Sequence, residues 1–128
     1  MPPERHDPAR QVFVYGTLRR GCRNHHLLRR ARYLGRHRTP PAYTLFDTGP
    51  YPAVVTGGRT RVVGEVYAVD GRTFRALDRL EDYPRSYTRR RIDTPYGPAW
   101  IYLWRLRIDP AWPALAGDWR RREIVGTP

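Results

Sequence analysis

The pattern of apolar and polar residues predicts a series of short strands with one clear helix. The first strand is predicted at about residues 11–15, where QVFVY combines β-branched and aromatic side chains. Similar short apolar runs predict strands at about residues 33–35, 43–46, 53–56, 61–69, 87–92 and 99–106. Because short strands dominate, the pattern favours an α+β fold: a strongly curved sheet or small mixed barrel, closed by one main helix with short helical turns beside it.

Glycine and proline mark the predicted ends of these strands. Pro40-Pro41 indicates a turn or a sheet edge, and Gly57-Gly58 predicts a hairpin turn between the strands at 53–56 and 61–69. Residues 22–31 favour a helical turn, whereas the tail from Asp109 is predicted to be mostly loop with one short turn. Residues 1–10 are predicted to be a disordered lead, and residues 11–128 a single domain.

The main helix is predicted to begin after Asp70, a good N-cap residue, and to run to about Asp82. Tyr83-Pro84 is expected to end it, because proline disfavours the helical conformation in the residue before it. On a wheel of about 100° per residue, the apolar side chains of this helix define one face, and Glu81 falls inside that face. Asp78 falls at its edge or outside it. Glu81 is therefore the carboxylate that the helix directs at the core.

Burial of Glu81 would raise its pKa, and the partial negative charge of a helix C-terminus acts in the same direction. A carboxyl with a raised pKa suits general acid–base work near neutral pH. A structural glutamate, bonded to an arginine or to a backbone N–H, fits the same pattern. The residue pattern alone leaves both interpretations open.

The first strand runs directly into Gly16, where a strand would ordinarily continue. Glycine permits a positive φ and close approach of another group, and Thr17 and Leu18 would then leave N–H groups free in a loop. Such a loop can form a small anion-binding concavity, with nearby arginines adding positive charge. An ordinary strand followed by a turn has the same local sequence, so this alternative also stays open.

The reactive residue types that the chain contains or lacks exclude several classes of chemistry. A chain of 128 residues with one cysteine has no intrachain disulfide and no multi-cysteine zinc site. It has no lysine for a Schiff base or a P-loop, and its single serine, Ser86, lacks a G-x-S-x-G context. His25 and His26 are adjacent and would point apart. We therefore expect no metal and no cofactor.

The formal net charge of +12 raises the possibility of nucleic-acid binding. All 24 basic residues are arginines, however, and they are dispersed along the chain, which favours a solvated basic surface. The polar N-terminus lacks an apolar signal segment, and no apolar run reaches the roughly 18–20 residues that a membrane helix needs. These features predict a cytoplasmic protein with no specific nucleic-acid partner and no membrane association.

Taken together, several segments give the chain a resemblance to the γ-glutamylcyclotransferase-like family, from about Val12 to Trp119. The segments are QVFVYGTLRRG, YPAVV, VVGEVYAV, ALDRLEDYPRSYTRR, AWIYLW and AGDW. The resemblance implies a small mixed barrel with flanking helices. It assigns the substrate-binding loop to Tyr15, Gly16, Thr17 and Leu18, the catalytic glutamate to Glu81, and two further binding positions to Tyr87 and Arg89.

The resemblance also implies a reaction that fits the inventory. Enzymes of the family cyclise a γ-glutamyl group to 5-oxoproline and release the amine to which it was attached, so the substrate's own α-amine is the nucleophile. One carboxyl, Glu81, could move the protons, and loop N–H groups could hold the α-carboxylate or the oxyanion. A non-catalytic small-molecule binding or interaction domain of the same fold is the alternative. The leaving amine and the oligomeric state stay open.

The leaving amine would lie beyond Glu81, at the mouth of the site. The segments expected there are residues 19–26, residues 47–52 and the tail from Asp109, which carry several arginines and few acids. Like charges repel in a partly dry mouth, so this composition predicts selectivity against cationic leaving groups.

Overall fold

A computed structural model of the protein describes residues 10–125. Apart from Arg10, the predicted N-terminal lead lies outside the described residues. Two sheets and one α-helix account for the regular structure. The strands are β1 (Gln11–Val14), β2 (Arg32–Arg38), β3 (Tyr43–Asp47), β4 (Pro52–Thr56), β5 (Val63–Ala68), β6 (Tyr87–Ile92), β7 (Ala99–Trp104) and β8 (Ala114–Leu115), and the helix is α1 (Gly71–Leu80). A short 3₁₀ helix spans His25–Leu28.

The larger sheet has the order β2-β5-β1-β7-β6, and the smaller one the order β4-β3-β8. Strand β1 pairs with β7 in parallel, whereas the other neighbours are antiparallel. The α+β class with one main helix is therefore confirmed. The described residues form no closed barrel, because the strands divide between two separate sheets; that part of the expectation is not confirmed.

The predicted hairpin at Gly57-Gly58 is wrong. Strand β4 pairs with β3 in the smaller sheet, whereas β5 lies between β1 and β2 in the larger one. Both glycines have positive φ, 90° and 117°, and carry the chain across the end of β3, where Thr60 pairs with Tyr43. Both edges of β5 are already occupied in its own sheet, so no edge is left for β4.

The core has two layers, one on each face of the larger sheet. Phe13, Ile101 and Leu103 face the smaller sheet and pack with Leu45 and Val54. The other face packs against α1 and the 3₁₀ segment through the buried residues Val12, Val14, Leu18, Leu28, Tyr67, Leu77 and Tyr102. Because β1 and β7 are covered on both faces, their sequences read as nearly continuous apolar runs.

Helix α1 ends two residues earlier than predicted. Asp70 caps its start, and the carboxylate accepts from the Thr73 N–H at 2.7 Å. At the other end Asp82 adopts a left-handed conformation, with φ 52°. The Tyr83 N–H then bonds to the Asp78 carbonyl and the Asp82 N–H to the Arg79 carbonyl, which is a Schellman motif. Glycine usually occupies that position, and its absence concealed the end of the helix.

The tail contains more structure than predicted. Residues Ala114–Leu115 form β8, which extends the smaller sheet along β3. Two residues between prolines and glycine give too short a pattern to indicate a strand. Within residues 10–125, no helix is long and apolar enough to span a membrane.

Candidate active site

A narrow cavity opens where β1 ends, between the two sheets and the end of α1. Its free volume is about 30 Å³, enough for one or two water molecules. The lining comes from the loop after β1, the start of β4, the end of α1 and strands β6 and β7. The side chains and backbone that line it belong to Phe13, Val14, Tyr15, Gly16, Thr17, Leu18, Tyr51, Pro52, Glu81, Tyr87 and Tyr102. We call this space the inner cavity.

A wider groove of about 230 Å³ adjoins the inner cavity and shares Thr17, Tyr51, Glu81 and Tyr87 with it. The groove continues past Arg23, Asn24, Leu80, Asp82, Ser86 and Trp104. We call it the outer groove. Glu81 lies at the junction of the two spaces, so a ligand that fills both would pass beside its carboxyl.

Glu81 occupies the C-cap position of α1, just past the last helical residue. Among the described residues, no hydrogen bond or ion pair involves its carboxyl. Burial raises the pKa of this carboxyl from 4.5 to about 7. The sequence correctly indicated that Glu81 is directed inward, although it lies beyond the helix on which that argument placed it.

Three tyrosine hydroxyls surround the inner cavity, and each donates its single proton to the protein. Tyr15 donates to the Tyr102 carbonyl, Tyr87 to the Pro52 carbonyl, and Tyr102 to Asp78 Oδ1, each at 2.7 Å. Burial raises the pKa of all three hydroxyls above the usual value, so they stay neutral. With their protons engaged, they offer lone pairs to a ligand, which suits a ligand that donates N–H bonds.

The loop Tyr15–Leu18 lines the inner cavity with backbone as well as side chains. A Cβ on Gly16 would lie 2.6 Å from Pro52 Cγ, so this position needs glycine for close packing against the start of β4. Within residues 10–125, the N–H groups of Gly16, Thr17 and Leu18 donate to no protein acceptor. These free donors give the loop the capacity to bind an oxyanion or a carboxylate.

A buried charge cluster, which the sequence reasoning missed, fixes this loop from behind. Arg19 is 4% exposed and pairs with Asp118 at 2.7 Å and with Glu65 at 3.5 Å. Glu65 also accepts from the Arg20 N–H and from the Tyr67 hydroxyl, each at 2.9 Å. A lone glutamate within an apolar strand segment, VVGEVYAV, is the signal that could have revealed this buried pairing.

Arg89 lines neither space in the described structure, and its role in substrate binding stays a prediction. Its guanidinium forms two bonds to Asp78, at 2.9 and 3.0 Å, and lies 4.1 Å from the ring centroid of Tyr83. Asp78 in turn accepts from the Tyr102 hydroxyl, which does line the inner cavity. Arg89 therefore holds Asp78, and through it Tyr102, in place.

A family model and individual relatives both show similarity of this chain to one protein family. The family model described as "Gamma-glutamyl cyclotransferase, AIG2-like" matches residues 12–121. The chain is 39% identical over 113 residues to the gamma-glutamylcyclotransferase family protein YtfP of Escherichia coli, a match that covers 88% of this chain and 98% of YtfP. A Vibrio cholerae relative is 47% identical over 111 residues, covering 87% of this chain and 96% of the relative.

Solved structures show the same likeness. An uncharacterised protein of Pyrococcus horikoshii superposes with a TM-score of 0.75 at 29% identity, covering 87% of this chain and 90% of its own. A mouse AIG2-like protein gives a TM-score of 0.72 at 27% identity, with coverages of 91% and 95%. The solution structure of E. coli YtfP gives 0.70 at 37% identity, with coverages of 85% and 95%.

Proposed function

Since this chain belongs to the gamma-glutamyl cyclotransferase, AIG2-like family, we propose that it cyclises the γ-glutamyl group of a small molecule to 5-oxoproline and releases the attached amine. The observation that carries the proposal is the Glu81 carboxyl. It lines the inner cavity without a protein partner, and its pKa is raised to about 7. A structural glutamate would be paired, as Glu65 is, so an unpaired one in a cavity indicates a catalytic role.

In the proposed reaction the substrate supplies its own nucleophile. The α-amine attacks the γ-carbonyl carbon and a new C–N bond closes the five-membered ring. The bond from that carbon to the leaving nitrogen then breaks. Ionised Glu81 accepts the proton that the attacking amine loses, and the protonated carboxyl returns it to the leaving nitrogen. Protons balance within one turnover, and no group outside the protein and the substrate is needed.

The γ-glutamyl head would bind beside Glu81 at the junction of the two spaces, and only part of it would enter the inner cavity, whose volume is about 30 Å³. Its α-amine donates N–H bonds, which matches the acceptor lone pairs of Tyr15, Tyr87 and Tyr102. Its anionic groups match the free N–H groups of Gly16, Thr17 and Leu18. Holding the substrate folded, with its amine and carbonyl in contact, is one contribution of such a site, and N–H bonds to the developing oxyanion are another.

The direct test is to incubate the protein with a panel of γ-glutamyl dipeptides and γ-glutamylamines and to measure 5-oxoproline by chromatography. We expect 5-oxoproline and free amine in equal amounts from at least one compound. Glu81→Gln protein serves as the control, because it keeps the shape of the site without the titratable proton. Binding of γ-glutamyl compounds without 5-oxoproline would instead support a non-catalytic binding domain.

A further inference from the structure

One side of the outer groove is an aromatic wall formed by Tyr51, Tyr87 and Trp104. The Trp104 ring lies 5.1 Å from Tyr87 and 6.1 Å from Tyr51 between centroids, and Trp112 supports it from behind at 5.8 Å. Beside the wall, Leu80 at the end of α1 is 38% exposed. Apolar surface of this kind is left uncovered by folding, and a ligand could bury it.

Three polar side chains of the outer groove are already engaged with the protein. Asn24 donates to the Thr17 hydroxyl at 2.8 Å, and the Ser86 hydroxyl donates to Asp82 at 2.7 Å. Arg23 donates to the Pro50 carbonyl at 2.6 Å. These contacts hold the polar side chains in place, and an apolar leaving group can meet the wall without disturbing them.

The mouth also differs from the sequence prediction of an arginine-rich rim. Of the segments expected there, Arg23 is the basic side chain that lines the outer groove, and Asp82 on the same groove carries the opposite charge. Arg19 is buried in its ion pairs, and the Arg20 guanidinium lies over the Tyr33 ring at 4.4 Å. Because one arginine and one aspartate offset each other in charge, the aromatic wall is the feature by which this mixed groove can distinguish leaving amines.

We propose that the outer groove selects γ-glutamyl compounds whose leaving amine carries an aromatic or bulky apolar group. This inference rests on the proposed cyclotransferase function, since it places the γ-glutamyl head beside Glu81, at the junction of the inner cavity and the outer groove. The groove volume of about 230 Å³ is sufficient for a ring, because apolar cavities of about 150 Å³ bind benzene. The ring of the leaving amine packs against Trp104 and Leu80, with Tyr51 at its edge.

The test compares kcat/KM for γ-glutamyl-phenylalanine, γ-glutamyl-alanine and γ-glutamyl-putrescine. The first two have the same charge and differ by one phenyl ring. We expect the phenylalanine compound to be turned over at least about tenfold more efficiently than the alanine compound, and the putrescine compound to resemble or fall below alanine. Equal values for phenylalanine and alanine would overturn the inference, as would a preference for putrescine, which would indicate cation recognition by the wall.

Leu80→Ala removes the apolar side chain beside the wall without touching the core, because Leu80 is exposed at the end of the helix. It should lower the phenylalanine-to-alanine ratio of kcat/KM by about threefold or more. Leu106→Ala is the matched control, since Leu106 is 47% exposed and lies outside both spaces; it should leave the ratio unchanged. A ratio unaffected by Leu80→Ala would contradict the inference.

Calorimetry on Glu81→Gln protein separates this inference from the proposed function. Tighter binding of γ-glutamyl-phenylalanine than of γ-glutamyl-alanine supports the groove assignment even if wild-type protein forms no 5-oxoproline, a result that would reject only the proposed function. Equal affinities together with turnover would reject the groove assignment and keep the cyclotransferase.

Discussion

Two glutamates of this protein lie in contrasting surroundings: one is fully buried and paired, and the other is partly exposed and lines a cavity. Glu65 is 6% exposed and is held by Arg19, the Arg20 N–H and the Tyr67 hydroxyl. Glu81 has no such partner among the described residues, and burial raises its pKa to about 7. The first arrangement stabilises a charge, whereas the second keeps a proton exchangeable near neutral pH. Pairing, and not burial alone, distinguishes a structural carboxylate from a reactive one.

Glu81→Gln should reduce kcat/KM on a good γ-glutamyl substrate by at least about 10²-fold, because the amide can neither accept nor return the proton. Asp82→Asn, which alters the adjacent carboxylate, should have a far smaller effect. The measurement is steady-state 5-oxoproline formation with circular dichroism as a check of folding. A larger loss for Asp82→Asn than for Glu81→Gln would reassign the proton transfer to Asp82.

The activity of the wild-type protein should depend on pH through Glu81. The free protein needs the ionised carboxyl as its base, so kcat/KM should fall as the pH drops below about 7. A profile of kcat/KM between pH 5 and pH 9 should show this inflection. A flat profile across that range would contradict the assignment.

Glu81→Gln should also stabilise the protein at high pH. Since the folded pKa of Glu81 is raised from 4.5 to about 7, its favourable contribution is complete below 4.5 and is lost as the pH rises through 7. Above pH 7 the variant should exceed the wild type by about 1–3 kcal/mol in free energy of unfolding. Urea titrations at pH 4 and pH 8 would measure it, and an equal difference at both pH values would refute it.

At the scale of elements, the site depends on how the loop after β1 packs against β4. Gly16→Ala should raise KM before it reduces folding, because the new Cβ would lie 2.6 Å from Pro52 Cγ and push the cavity wall inward. Gly71→Ala is a suitable control, since its Cβ would meet the mobile ends of arginine side chains at 3.2 and 3.3 Å.

KM and thermal midpoints of both glycine variants should be measured together. The expectation is a large change in KM for Gly16→Ala and none for Gly71→Ala, with folded protein in both cases. An inactive Gly16→Ala protein that is also unfolded would indicate that this glycine serves the turn alone.

Strands β6 and β7 and helix α1 are joined by the chain of contacts Arg89–Asp78–Tyr102. If Arg89 acts by holding Asp78, then Arg89→Gln should lower kcat/KM in the wild-type background and have little further effect in Asp78→Asn protein. A double-mutant cycle on kcat/KM measures the coupling. Additive losses, concentrated in KM, would instead place Arg89 on the substrate.

Most elements of this fold could be predicted from local patterns, because β1 and β7 are nearly continuous apolar runs and α1 has an apolar face. Besides the short strand β8, two features could not be predicted. The end of α1 depends on a left-handed Asp82, a position that sequence reasoning reserves for glycine. The second feature is that the strands on either side of Gly57-Gly58 do not pair with each other. Strand β4 pairs with β3 in the smaller sheet, and the turn residues alone do not indicate this.

The candidate site was likewise predictable only in part. Tyr15, Gly16, Thr17, Leu18, Glu81 and Tyr87 all line the inner cavity, as the motifs suggested. Arg89 does not, because a spacing pattern cannot show which acid an arginine contacts. Tyr51 was expected only as part of the segment 47–52 at the mouth. Tyr102 and Trp104 were not assigned to the site, since their position there depends on the packing of β7.

For the molecule as a whole, a net charge of +12 need not imply a nucleic-acid partner. Arginines line shallow depressions near β2 and the chain segment before β5, namely Arg36, Arg38, Arg59, Arg61 and Arg121. We expect DNA to bind weakly, without sequence preference, and to lose nearly all affinity between about 50 and about 200 mM salt. Fluorescence anisotropy measures this, and sub-micromolar binding at the higher salt would contradict it.

The buried pairing of Arg19 with Asp118 has a consequence for biosynthesis. Ribosomes make the chain from its N-terminus, so Arg19 and Glu65 emerge well before Asp118 does. Until then the arginine behind the loop at residues 15–18 lacks one of its two acidic partners. The loop therefore acquires its ion pair to Asp118 only after strands β1 to β8 have been synthesised. A nascent chain that contains those strands but not Asp118 would still lack one contact that holds the wall of the inner cavity.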